Sequence, residues 1–494
     1  MKQKLFSVVS LLLAALAAGT FLTSCGGESE TQTGAENTVP AGENETQPET
    51  EPEPEHIFPE KDMAQTEITI LTEDWAAYDP IAMDDILTDS ANGEVLNDAV
   101  FDRMRSVSEL YNCRLAQADL TSDEGKNALL KSVRAGDDAY QIALIRSCQY
   151  STMLSEHSML ALDSVPNVDL SAPWYDGNSL AALALLGKNY GVVSNVTMNR
   201  YELTFCGYFN KVMAENLQLG SIYDIVRDGK WTWDAMFSLG KTAVQDLDND
   251  GEATTADCFG ITYINDIPEG LLNAGGVRYA ELDGEGIPTM TCGKEENITK
   301  MQALFELFSD KNISINIHQR SKQAYIDEVG LFMNRQALFS LGGVYYAPQY
   351  RDMKDDFGIV PLPKYSEEQE YAAPLFGNVF PITILPVTNA DTENAGLILD
   401  AMSYEGWHSV LPAFYDIVLQ GKLARDEDSN YMLDLIFNNT FYDTGLLFQF
   451  GGVVQTIRNI YQPLKGDFVS SLEKTSPKME KDIEKLISSI EDAE

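Results

Sequence analysis

EITILTEDW, residues 67–75, is a short β-branched run that stops where Glu73, Asp74 and Trp75 turn the chain, and it reads as a strand. Downstream, Leu96, Val100, Met104, Val107 and Tyr111 recur at three- and four-residue spacing, which predicts a helix with one apolar face. A strand is expected from about Cys113 to Leu120, and a second helix near Asn127 to Ala135 that stops at Gly136. A further strand is expected over Tyr140 to Ile145. Strand alternating with helix predicts an α/β fold whose largely parallel sheet is covered on both faces, with ligands in the crevice at the strand carboxyl ends.

A second region from about Asn199 to Gln336 carries its own helices, one of them near Thr232 to Gln245. Thr232 stands where an N-cap belongs, ahead of an apolar face that includes Trp233, Met236 and Phe237, so Trp233 reads as core; Trp231 can be read either way. Strand character returns over Ala337 to Val344 and Phe357 to Leu362. Met479, Ile483, Leu486, Ile487 and Ile490 trace one face of a closing helix.

Among 494 residues, 76 acidic side chains face 34 basic ones, a formal net charge of -42 that repels nucleic acid and anionic headgroups. Lys2 and Lys4 precede an apolar run that ends in Leu22-Thr23-Ser24-Cys25-Gly26, which resembles a bacterial lipoprotein signal. That resemblance implies lipidation at Cys25 and an extracytoplasmic location at the cell membrane. The alternative is an uncleaved spanning helix, since the run is just long enough. Residues 26–65 are acidic and broken by prolines, as expected of a disordered tether. Cys113, Cys148, Cys206, Cys258 and Cys292 show neither zinc spacing nor a disulfide framework.

DLDNDGEATTAD, residues 246–257, has the spacing of a calcium loop. Asp246, Asp248 and Asp250 occupy positions one, three and five, Gly251 the turn at six, Glu252 the carbonyl position, Thr254 the water position, and Asp257 position twelve. The apolar stripe of Trp233, Met236, Phe237 and Val244 leads into the loop. Strand-forming residues 258–264 follow it, so a structural Ca2+ clasp is expected and not a sensor, which needs a second helix to swing open.

Pro173-Trp174-Tyr175-Asp176, Gly207-Tyr208-Phe209-Asn210-Lys211, Gly229-Lys230-Trp231-Thr232-Trp233-Asp234, the acidic loop followed by Phe259-Gly260-Ile261, Asp356 to Lys364, and Ala424 to Ser429 follow one another along the chain. In this order they resemble the bacterial extracellular solute-binding proteins of family 1, the binding subunits of ABC importers related to maltose-binding protein. The resemblance implies a two-lobed, periplasmic-binding-protein-like type II fold, with hinge strands between discontinuous lobes. It places a first lobe at 66–197 with 338–385 and a second at 198–337 with 386–494, behind a signal at 1–25. It further implies capture of a small solute, an oligosaccharide foremost, for delivery to permease subunits.

On that picture the ligand-binding candidates are the polar and aromatic residues after strands: Glu73, Asp74, Trp75, Arg146, Gln149, Asn195, Tyr345 and Tyr346. No H-E-x-x-H, G-x-S-x-G or phosphate-loop motif occurs, so no catalytic residue is expected. A glycosidase-like surface enzyme and an adhesion or scaffold lipoprotein are the competing readings.

Overall fold

The computed structural model describes residues 56–73, 86–376, 379–418 and 427–492; Cys25 and the tether up to residue 55 lie outside them. The described residues from Glu60 onward belong to one compact unit.

The described strands are, in chain order, β1 (Glu67–Glu73), β2 (Arg114–Leu120), β3 (Ile142–Arg146), β4 (Phe205–Asn210), β5 (Phe259–Tyr263), β6 (Ala280–Leu282), β7 (Pro288–Met290), β8 (Ser314–Asn316), β9 (Ala337–Gly343), β10 (Phe357–Pro361), β11 (Ala373–Pro374), β12 (Pro381–Ile384) and β13 (Thr440–Phe441). One sheet has the order β12-β3-β1-β2 and another β10-β4-β9-β5-β8. In the first, β1 runs parallel to β2 and β3, while β12 returns antiparallel to β3. The second is mixed: β5 is parallel to β8 and β9, and β4 is antiparallel to β9 and β10. Strands β3, β4, β5, β9 and β10 are buried along their whole length, as apolar strands covered on both faces must be.

The helices form where capping and periodicity place them. Helix Val95–Tyr111 buries Leu96, Val100, Val107 and Tyr111, and helix Ser122–Ala135 stops at Gly136, whose φ of 67° needs no Cβ. Thr232 caps helix Trp233–Lys241 by accepting from the Ala235 N–H. That helix ends earlier than expected, so Val244 lies beyond it. Trp231 is fully buried and donates its indole N–H to the Pro361 carbonyl at 2.8 Å, a core role.

The expected lobe boundaries need a correction. Residues 338–361 do not rejoin the first sheet, because β9 pairs with β4 and β5, and β10 with β4; only β12 returns. The stretch after β12 also divides. Helix Thr392–Glu405 packs on helix Val95–Tyr111 of the first lobe, and helix Glu427–Phe437 lies on β10 of the second. A strand's partner is decided by tertiary packing, which the apolar run itself does not encode.

Candidate ligand-binding cleft

Two crossovers between the sheets run side by side. Thr204 bridges Leu375 in antiparallel fashion, Phe376 N–H donates to Leu203 O at 3.0 Å, and Val344 N–H donates to Thr204 O at 3.1 Å. The same segments deliver the chain to β4 and β12, beside the carboxyl ends of β9 and β3. The first crossover is anchored by a buried ion pair. Asp176, the N-cap of helix Gly177–Leu183, accepts from Arg200 Nη1 at 2.7 Å, Tyr442 Oη at 2.8 Å and Thr440 Oγ1 at 3.2 Å.

At the carboxyl ends of β5 and β8, planar polar groups converge. Asn265 Oδ1 accepts from Asn316 Nδ2 at 3.0 Å and Gln319 Nε2 at 3.1 Å, while the Asn265 N–H donates to His318 Nδ1 at 3.1 Å. His318 meets the Tyr325 ring edge-on, and burial lowers its pKa, favouring the neutral ring. Next along the chain, Asp266 and Glu269 are both gripped by Arg458 of helix Val453–Tyr461, whose Nε donates to Glu269 Oε1 at 2.6 Å. Burial pushes the Glu269 carboxyl up to about 7 despite the pull of Arg458. Glu269 Oε2 and Asn316 Oδ1 are buried acceptors with no hydrogen-bond partner. Asp266, Glu269 and Arg458 also wall a small cavity, with Phe205 and Leu375 of the crossovers and Leu446 and Val454 as its apolar lining.

No protein-family model matches the chain, and no curated protein matches it in sequence. Solved structures do match. A cyclo/maltodextrin-binding protein complexed with maltotetraose aligns with a TM-score of 0.58 at 14% identity, over 85% of this chain and 97% of that one. The cyclic alpha-maltosyl-1,6-maltose binding protein from Arthrobacter globiformis gives 0.57 at 14%, over 85% and 99%. The ABC substrate-binding protein Lmo0181 from Listeria monocytogenes, in complex with cycloalternan, gives 0.55 at 14%, over 85% and 99%. The chain has the two-lobed fold of the ABC substrate-binding proteins.

Within this substrate-binding-protein fold, the residues singled out from sequence fall in different places. The Glu73 side chain, Asp74 and Trp75 lie outside the described residues, although β1 does end at Glu73. Arg146 ends β3, and Gln149 follows in the turn Ser147–Gln149, both largely buried at the first-lobe edge. Asn195 is fully buried and donates Nδ2 to Tyr201 Oη at 3.1 Å, inside the crossover. Tyr345 and Tyr346, expected as ligand contacts after the strand that ends near Val344, are placed in the interior. Tyr345 is 1% exposed and packs on Phe376; Tyr346 donates Oη to Glu328 Oε2 at 3.0 Å. The turn Val344–Tyr346 folds these rings back over β9, where Glu328, pushed up to about 8 by burial, supplies the acceptor. Asn265, Asp266, Glu269, Asn316, His318, Gln319 and Arg458 were not anticipated. The polar Asn265-Asp266 step directly after the apolar β5 was the available signal.

The acidic loop takes the compact form its spacing implies. Carboxylate oxygens of Asp246, Asp248 and Asp250 lie within 4.8 Å of one another, and Gly251 has a φ of 77°. Asp257 accepts from the N–H groups of Leu247 at 3.0 Å and Thr254 at 2.8 Å, and Gln245 bridges Cys258 to close the loop. Partial desolvation, reinforced by the neighbouring carboxylates, raises the Asp248 pKa. Oxygen donors of this kind fit a hard divalent cation. The loop leads into β5, as expected.

Proposed function

We propose that this protein is a solute-binding protein that captures a small neutral polyol, an oligosaccharide foremost, in the crevice between its lobes. The observation that carries the reading is the Asn265-centred cluster at the carboxyl ends of β5 and β8, with acceptors left unfilled beside the crossovers. Planar amides, a carboxylate and a neutral imidazole bond sugar hydroxyls in pairs. Two of the structural neighbours named above were solved with an oligosaccharide, cycloalternan in one and maltotetraose in the other. Closure follows if solute touches both lobes, because only differential contacts shift an open–closed equilibrium.

The proposal assigns no catalytic residue. Asp266 and Glu269, the carboxylates of this cluster, are both held by one guanidinium. A thermal-shift screen against neutral mono- and oligosaccharides tests the reading, with chromatography of the recovered sugar. Stabilisation by an intact sugar is the expected result; cleavage of that sugar would favour the enzyme.

The proposal extends to a lipid anchor on Cys25 and delivery to ABC permease subunits. Among the described residues no helix is long and apolar enough to cross a membrane. Calcium completes it, as a clasp on Asp246, Asp248, Asp250 and Asp257, with Glu252 and Thr254 adding a carbonyl and a hydroxyl or bridging water. At calcium near a hundred times its Kd, the folded state should gain about 2.7 kcal/mol, read as a higher unfolding temperature. Asp248→Ala should abolish that gain and leave solute affinity nearly unchanged. No gain after chelator treatment would remove the clasp.

A further inference from the structure

The last helix, Phe468–Glu491, buries one apolar stripe that includes Leu472, Met479, Ile483, Leu486 and Ile490. With it the helix packs on helices Tyr150–Ser155, Glu295–Ser309 and Val453–Tyr461. The opposite face carries lysines. Lys474, Lys478, Lys481 and Lys485 follow one another at steps of four, three and four, so at about 100° per residue they share an arc of about 60°. All four are exposed. From Lys474 to Lys485 the ridge extends about 16 Å along the axis, at about 1.5 Å per residue.

No carboxylate among the described residues forms an ion pair with this ridge, whereas Lys61, Lys230, Lys294 and Lys300 each hold one. Glu473, Glu480, Glu484 and Glu491 keep to a flank about 100° round the helix. Asp482, one turn from both Lys478 and Lys485, accepts the Gly451 N–H at 2.9 Å. The lysines therefore face one another. Lys474 and Lys478, and Lys481 and Lys485, stand at i,i+4 spacing and Lys478 and Lys481 at i,i+3, where like charges weaken a helix. A local conflict of this kind on a helix whose other face is well packed marks a place where function, not folding, chose the residues.

We propose that the ridge of Lys474, Lys478, Lys481 and Lys485 is a docking surface for anionic lipid headgroups, on which the folded chain rests at its membrane. The inference rests on the N-terminal reading for its setting: lipid on Cys25 and an uncleaved spanning helix would each hold the chain at a bilayer. Four lysines on one face of an amphipathic helix suit an anionic leaflet. The net charge of -42 opposes such a surface as a whole. At physiological salt, however, a charge reaches only about 8 Å, so the face that the chain presents decides. The same net charge sets a second copy of the chain aside as the partner.

The test labels surface amines. The full chain is reconstituted through its N-terminus into vesicles of phosphatidylcholine, alone or mixed equally with phosphatidylglycerol, and a membrane-impermeant amine reagent is scored at each lysine by mass spectrometry. The four lysines should label about threefold or more slowly on the anionic vesicles. Exposed Lys131 and Lys241, on other helices, should keep their rates. At about 1 M salt, where the reach of a charge falls to about 3 Å, the protection should vanish. Lys478→Glu combined with Lys481→Glu leaves the buried face intact and should abolish the protection at Lys474 and Lys485, with the unfolding temperature unchanged. Equal labelling on the two kinds of vesicle overturns the proposal, and so does protection that survives the double substitution. Protection by soluble polyphosphate on neutral vesicles, with none from phosphatidylglycerol, would assign the ridge to a dissolved polyanion and overturn it too. The mass of the N-terminal peptide shows separately whether Cys25 carries lipid, so the anchor reading can fail while the ridge stands.

Discussion

Asp176→Ala is expected to cost the fold about 3–5 kcal/mol, the largest loss foreseen for a single polar side chain here. The Asp176 carboxylate is nearly buried and serves four jobs at once. It caps a helix of the first lobe through the Asn178 and Ser179 N–H groups, neutralises Arg200, and accepts from Tyr442 and Thr440. Without it, the Arg200 guanidinium, 11% exposed at the side chain, is left charged inside the crossover with only the Tyr201 hydroxyl. Asp176→Asn keeps the cap and one acceptor but not the charge, and should fall between alanine and the parent. Urea unfolding of the three proteins measures this, and a loss below about 1 kcal/mol for alanine would show that the pair merely breaks even against its desolvation.

Arg458→Met should cost about 2–3 kcal/mol, less than Asp176→Ala because the Arg458 side chain keeps 20% exposure and water screens the pair. The pH dependence has a definite sign. Glu269 titrates at about 7 in the folded chain against 4.5 for a free glutamate, so its protonated form favours folding. That contribution is complete below 4.5 and is lost as pH rises through about 7. Removing Arg458 takes away the charge that holds the value down, so it rises further and the unfavourable window widens. The cost of Arg458→Met should therefore be smaller at about pH 5 than at about pH 8. An equal cost at both would mean that Glu269 does not feel Arg458. The same variant should weaken sugar binding, because Asp266 loses the group that orients it.

Much of this architecture was legible before the structure. The β-branched run at Glu67 is β1, the Thr232 cap and the Gly136 stop are where their side chains or lack of one require, and the closing stripe Met479 to Ile490 is buried as read. What escaped was pairing at a distance. Ala337 to Gly343 announces a strand but not that β4 and β5 flank it. Tyr345 and Tyr346 follow a strand, as ligand platforms do, yet Glu328 and Phe376, remote in sequence, draw them inward. Asp266 and Arg458 stand 192 residues apart, and no local pattern joins them.

Capture between the lobes is tested most directly by small-angle scattering of the full chain, with and without a neutral oligosaccharide that raises its unfolding temperature. Closure over the solute predicts a smaller radius of gyration in the bound sample, and the same contraction in Asp248→Ala. A bound sugar that leaves the radius unchanged would place the binding site outside the crevice and contradict the account.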